Sequence, residues 1–309
     1  MFKIFVDGLE GTTGLQIFDY LEKRDDVEIL KIDPEKRKDS AARAACINAS
    51  DLTFLCLPDD AAREAATLCT NPNTCIIDAS TAHRTNPAWV YGLTELNATQ
   101  RDKIKNAKRI ANPGCHASAF ILAVNPLIQK GILKNTAQIM AHSITGYSGG
   151  GKKMIADYNA QPLPQELQSP RPYGLSLTHK HLPEMQYYCG LQNAPTFLPI
   201  VANYFKGLCV SVFLNPADFI QNFSAQDIHA ALKDYYQNEP FIRVLPLDFD
   251  YNFFDIQKNN NSNFVDLALF NKDNRFILMS RLDNLGKGAS GAAIQSMNIY
   301  FNLAENTGL

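Results

Sequence analysis

The chain has 309 residues, of which 46% are hydrophobic, and carries a formal net charge of -2. That is enough chain for one large or two ordinary domains, with too little positive charge for a nucleic-acid footprint and no apolar run long enough to span a bilayer. The seven cysteines are odd in number and scattered, with no zinc spacing, so free thiols in a reducing cytoplasm are expected.

The N-terminus opens on a strand pattern, Phe2 to Val6, and not on the charged and apolar regions of a signal peptide. Gly8, Gly11 and Gly14 follow, and a helical pattern starts at Thr12. A strand, a GxxGxxG turn and a helix predict dinucleotide binding. Gly8 permits the tight turn, Gly11 lets a pyrophosphate approach the backbone, and Gly14 lets helix and strand pack closely. The first-turn N–H groups, at Thr12 and Thr13, then face the phosphates. The competing reading is a plain glycine turn.

Val27 to Ile32 reads as a second strand, Ala41 to Ala49 as a helix, and Leu52 to Leu57 as a third strand ending at Pro58. Asp59 is expected as the N-cap of a helix over Asp60 to Leu68, and Cys75 to Asp78 as a fourth strand. This rhythm predicts an α/β, Rossmann-type doubly wound parallel sheet, with cofactor loops after residues 7, 32, 57 and 78. Asp33, nineteen residues after Gly14, is placed to bind a ribose 2′-hydroxyl. Lys36, Arg37 and Lys38 follow at once and suit a 2′-phosphate, so NADP(H) is favoured over NAD.

In Asn112-Pro113-Gly114-Cys115 a strand ends near Ala111, Pro-Gly turns the chain, and a helix begins at or just after the cysteine. A thiol at a helix N-terminus sees the positive end of the dipole, which favours the thiolate. Cys115 is therefore the candidate nucleophile, whereas Cys56, Cys69, Cys75 and Cys209 read as small buried hydrophobes. A thiolate beside a nicotinamide site points to interconversion of an acyl thioester and an aldehyde, with a general acid/base near the sulfur.

Beyond a helix over about 117 to 130, strand patterns dominate: Ala137 to Thr145, Leu198 to Phe205, Leu208 to Leu214, Phe264 to Phe270 and Phe276 to Leu282. They predict a second, α+β domain with a mixed sheet. Gly146 to His181 reads as a long functional loop, Lys258 to Asn263 as a solvated hairpin tip, and Ala289 to Asn302 as a helix. His179 and His181, one residue apart on an extended segment, are expected to face opposite sides. HxH lacks an evident third ligand, so no metal is expected.

These segments resemble the shorter form of the N-acetyl-γ-glutamyl-phosphate reductase family, and more distantly aspartate-semialdehyde dehydrogenase, over nearly the whole chain. The resemblance is carried by the glycine loop 8–14, KRKD at 36–39, Ile77 to Arg84, Tyr91-Gly92-Leu93, NPGC at 112–115, Ser143 to Lys153, HxHxPE at 179–184, and Asp283 to Gly291 with Gln295 and Asn298. It implies NADPH-dependent reduction of N-acetyl-L-glutamyl 5-phosphate, an acyl phosphate, in arginine biosynthesis. It also implies a first domain over 1–114 completed by the C-terminal helix 287–309, and a catalytic and oligomerisation domain over 115–286. A cytoplasmic homodimer or homotetramer is expected.

On this resemblance His181 is favoured as acid/base and His179 as a substrate contact. Gly8, Gly11, Thr12, Thr13, Gly14, Arg37, Lys38, Ser80, Asn284 and Lys287 fall to the cofactor. Arg84, Asn112, Ser143, Gly146, Ser148, Gly149, Lys152 and Glu184 fall to substrate. Each has a bland reading: Glu184 simply starts a helix after Pro183, Arg84 pairs with a surface acid, and the glycine loop is flexible and exposed. Thr94, Lys180 and Lys206 depart from the usual pattern, the last two where an arginine would clamp a phosphate or carboxylate. Alternative substrates are aspartyl or aminoadipyl phosphate. A non-catalytic NADP-binding regulator and a cysteine-dependent hydrolase are the readings from other classes.

Overall fold

A computed structural model describes residues 1–9, 11–248 and 252–309. The chain divides into two units, Met1–Gly114 with Ala289–Leu309, and Cys115–Gly288.

In the first unit β1 (Phe2–Asp7), α1 (Thr12–Leu21), β2 (Val27–Leu30), α2 (Ser40–Ala49), β3 (Leu52–Leu55), α3 (Asp59–Leu68) and β4 (Cys75–Asp78) alternate. They are followed by β5 (Val90–Tyr91), α4 (Gln100–Lys105) and β6 (Arg109–Ala111). The sheet runs β2-β1-β3-β4-β6-β5 with every pair parallel. Side chains alternate along β1: Ile4 and Val6 join one core with Ile17 and Leu21, while Phe5 joins the opposite core with Ile47 and Leu55. Both faces are thus covered, which is why these strands read as unbroken apolar runs. The chain leaves β1 for β2 on one side and returns to β3 on the other. That reversal opens a crevice at the carboxyl ends, where the Gly8 loop lies.

The second unit holds α5 (Cys115–Gln129), β7 (Met140–Gly146), α6 (Gly151–Tyr158), β8 (Arg171–Pro172), α7 (Leu182–Cys189) and β9 (Thr196–Ala202). It continues through β10 (Leu208–Leu214), α8 (Ala225–Tyr235), β11 (Ile242–Val244), β12 (Val265–Lys272) and β13 (Arg275–Leu282). The strands form one mixed sheet, β11-β12-β13-β10-β7-β9-β8. Helix α5 is buried all round from His116 to Leu127 and packs against α7, α8, β10 and β13. A helix apolar on every side belongs in a core.

A π-helical turn over Gly286–Ser290 leads to α9 (Gly291–Tyr300), which packs on α1 and α4 of the first unit. Its Asn298 takes a 2.7 Å bond from Arg24, and Arg101 holds Glu305 of the tail at 2.6 Å. Among the described residues no helix is long and apolar enough to cross a membrane.

Three local expectations fail. Asp59 lies inside α3 behind the cap residue Pro58, because its carboxylate is taken by Thr81, whose N–H and hydroxyl donate at 2.9 and 2.5 Å. The stretch expected as one long loop contains α6. Residues 258–263 are no solvated tip: Asn259 and Asn263 are buried, and Asn259 donates to the carbonyls of Phe264 and Arg281.

Candidate active site

In the first unit the three glycines differ physically. A Cβ on Gly8, whose φ is +96°, would lie 2.4 Å from the Cys56 carbonyl oxygen, and one on Gly14 would lie 2.5 Å from the Gly8 carbonyl oxygen. Both are dictated by close backbone packing. At Gly11 the nearest atoms would be 3.7 Å away, so the fold itself leaves room for a side chain. Gly11 precedes α1 without a side-chain cap, and the Thr12 hydroxyl is buried without a hydrogen-bond partner. An uncapped ten-residue helix, an open glycine and an orphaned hydroxyl fit the phosphates of a dinucleotide. Arg37 and Lys38 are exposed beyond a short 3-10 turn, whose start Asp33 caps by accepting from the Glu35 N–H at 3.0 Å.

At the end of β4, buried Asp78 organises the next loop. Its carboxylate accepts from the Ser80 N–H (2.9 Å) and hydroxyl (2.7 Å) and meets His83 Nδ1 at 2.6 Å. The His83 ring stacks on Trp89 at 4.0 Å. Ser80 thus spends its hydroxyl on Asp78. Arg84 is buried and donates to the carbonyls of Asn112 (2.9 Å) and Ala79 (3.1 Å). It ties the loop after β4 to the loop that precedes Cys115. Asn112 donates to the Ala289 carbonyl at 2.9 Å, while its own side-chain oxygen is buried without a partner.

In the second unit Cys115 is the first residue of α5, partly exposed. The backbone at Gly288 passes so close that a Cβ there would lie 2.8 Å from Cys115 Cβ. Burial pushes the Cys75 and Cys209 thiols up to about 12 and raises Cys56 and Cys189 as well, which leaves them poor nucleophiles.

His179 and His181 do not face opposite sides. Their segment turns into α7, with His181 in helical conformation as its cap residue, so strand alternation does not apply. The two rings lie 4.8 Å apart, edge to face, and both pack on His116, at 5.4 and 5.6 Å. His116 contacts Ser143 Oγ through Nδ1 and Tyr173 Oη through Nε2, each at 2.9 Å. Burial, then the charges of His179 and Lys180, hold His116 down at about 3; burial and Lys180 hold His179 at about 4. Burial raises the Tyr173 hydroxyl, and Cys115 adds to that rise from nearby. Sequence reading missed His116 and Tyr173; His116 had the one available signal, adjacency to Cys115.

Ser143 is fully buried and its hydroxyl faces His116. Gly146 is required by the fold, since a Cβ would lie 2.6 Å from the Phe205 carbonyl oxygen. Asn284 accepts from the Gly207 N–H at 2.8 Å and donates to Ser148 Oγ at 3.0 Å, beside Gly149. Lys287 is fully buried over the Phe241 ring, and Lys206 pairs with Asp283 at 3.2 Å. Lys152 is exposed in the first turn of α6, and Glu184 is buried in the first turn of α7.

Residues 115–284 match the family described as semialdehyde dehydrogenase, dimerisation domain, and residues 33–107 the semialdehyde dehydrogenase, NAD binding domain. The chain is 45% identical to N-acetyl-gamma-glutamyl-phosphate reductase 2 of Nostoc sp., with 99% of each chain covered. It is 42% identical to N-acetyl-gamma-glutamyl-phosphate reductase of Chelativorans sp., with 97% and 98% covered. Among solved structures it resembles aspartate semialdehyde dehydrogenase II from Vibrio cholerae (TM-score 0.72, 16% identity, 98% and 99% covered). It also resembles aspartate semialdehyde dehydrogenase with NADP from Candida albicans (TM-score 0.68, 14% identity, 99% of each covered). At those identities the likeness is one of fold.

Proposed function

The chain belongs to the N-acetyl-γ-glutamyl-phosphate reductase family; we propose that it reduces N-acetyl-L-glutamyl 5-phosphate with NADPH to N-acetyl-L-glutamate 5-semialdehyde and phosphate, in arginine biosynthesis. The observation that carries the cysteine mechanism is Cys115 at the start of α5, with His179 and His181 gathered around the neighbouring His116. The Cys115 sulfur attacks the acyl carbon, the bond from that carbon to the phosphate oxygen breaks, and phosphate leaves. When bound, NADPH supplies the hydride that takes the resulting thioester to the aldehyde. An imidazole takes the thiol proton at the start and returns it when the sulfur is expelled. His179 Nδ1 accepts from the His181 N–H at 3.1 Å, which keeps the proton of a neutral His179 ring on Nε2 and leaves it no free lone pair for a thiol proton; this supports His181 as that acid/base. His179 then holds the start of α7 through that bond.

Gly11, Thr12 and Thr13 would hold the cofactor phosphates, and Arg37 with Lys38 the 2′-phosphate. The partnerless Asn112 oxygen would accept from a ligand N–H. Lys152, with Ser148 and Gly149, would take the substrate phosphate. The protein acts in the cytoplasm as a homo-oligomer, a reading supported by its free thiols and by an apolar outer sheet face in the second unit.

The test runs the reaction backwards, with N-acetylglutamate semialdehyde, NADP⁺ and phosphate, and follows NADPH absorbance. Phosphate-dependent turnover that Cys115→Ser abolishes is expected. Turnover only with aspartate semialdehyde would move the chain to the related substrate class.

A further inference from the structure

His116 follows the nucleophile directly, is 3% exposed, and has a partner on each ring nitrogen. A neutral imidazole carries one N–H and one acceptor nitrogen, so the two bonds must run in opposite senses. Ser143 decides which. It lies fully buried on β7, where a hydroxyl proton without an acceptor is costly, and His116 Nδ1 stands 2.9 Å from its oxygen. Ser143 therefore donates to Nδ1. The ring proton then sits on Nε2 and is given to the Tyr173 oxygen, 2.9 Å away. Tyr173, occupied as an acceptor on that side, must direct its own proton elsewhere. Its ring is only partly buried, and its hydroxyl is held by the residue that directly follows Cys115 at the start of α5.

We propose that Ser143, His116 and Tyr173 form a one-way hydrogen-bond relay that presents the Tyr173 O–H as a donor to the oxygen of the acyl group carried by Cys115. Tyr173 is then a catalytic residue, and His116 and Ser143 are positioning residues. The relay rests on the cysteine mechanism above. Negative charge grows on that oxygen when the tetrahedral species forms, so a fixed donor stabilises the transition state more than the ground state. A permanently neutral ring suits the task, because a second ring proton would reverse the Ser143 bond.

Nitrogen-15 histidine NMR on the full-length protein tests the relay without turnover. The expected result is a neutral His116 protonated on Nε2 from pH 8 to pH 5. A ring protonated on Nδ1, or one that titrates near its ordinary value, overturns the relay even if Cys115→Ser has confirmed the nucleophile. Conversely, an active Cys115→Ser protein would sink the cysteine mechanism whatever the tautomer.

Kinetics supply the second readout. Tyr173→Phe is expected to lower kcat about 100-fold, the usual cost of one oxyanion donor, with little change in KM. Ser143→Ala lowers kcat in the wild-type background but adds nothing to Tyr173→Phe. His116→Asn, which still accepts and donates, retains more activity than His116→Leu. Additive losses for Ser143→Ala and Tyr173→Phe, or equal loss in the two His116 variants, would overturn the proposal.

Discussion

In the second unit burial fixes the charge of two neighbouring imidazoles. His116 and His179 are held neutral well below the ordinary value of 6.5, at about 3 and about 4. An unfolded chain regains ordinary histidines and binds protons below about pH 6.5, where the folded rings do not. The stabilisation is thus complete above that pH and is lost as pH falls toward 4 and then 3. The melting temperature should be lower at pH 5 than at pH 7, and the gap should narrow in His116→Asn; scanning fluorimetry reads both. A gap unchanged by the substitution would mean that the imidazole titrates normally. His181→Asn is expected to remove most of the activity, and steady-state kinetics with N-acetylglutamate semialdehyde, NADP⁺ and phosphate reads the loss. The place of Cys115 at the start of α5 was legible from Asn-Pro-Gly in front of a helical pattern. The place of Tyr173 was not, because its contact with His116 depends on β8 and the turn after it, which leave no periodic trace in a two-residue strand.

At the scale of elements, the glycine loop and α1 separate what the fold requires from what a ligand requires. Gly14→Ala forces a Cβ to 2.5 Å from the Gly8 carbonyl and should lower the melting temperature. Gly11→Ala meets nothing nearer than 3.7 Å, so it should leave the melting temperature unchanged while weakening NADPH binding at least tenfold by fluorescence titration. Thr12→Val, which replaces a buried orphan hydroxyl with a methyl, should be neutral or stabilising in the free protein yet still weaken the cofactor. Loss of stability without loss of affinity in Gly11→Ala would show that the loop has no ligand to accommodate. The parallel strands were legible because burial on both faces makes them continuous apolar runs. Helix α8 carries a readable signal in Ser224-x-x-Asp227, which forms a reciprocal capping box. Helix α6 had no such mark: it starts at Gly151 behind Gly150, without a capping side chain.

At the scale of the whole molecule, the second unit's sheet is finished on one face only. Helix α5 covers the face to which Ser143 points. Residues opposed in register share the other face: Met140 stands across from Phe213, His142 from both Leu198 and Ser211, and Phe213 from Ile277. Met140, Leu198 and Phe213 are 57, 37 and 37% exposed, and the partly buried Ile144, Ile200, Ile277 and Met279 lie on the same face. An apolar surface continuous over four strands is more than a monomer ordinarily leaves in water. A second copy of the same face would cover it symmetrically, as a two-fold interface requires. Phe213→Asp separates the possibilities. On a solvated face the carboxylate costs the monomer little. In a two-fold interface it is buried without a partner, at about 3–5 kcal/mol, enough to weaken association more than a hundredfold. Sedimentation equilibrium should therefore find wild type associated at micromolar concentration and Phe213→Asp monomeric, with circular dichroism unchanged. An associated Phe213→Asp protein would place the interface elsewhere and leave this apolar sheet unexplained.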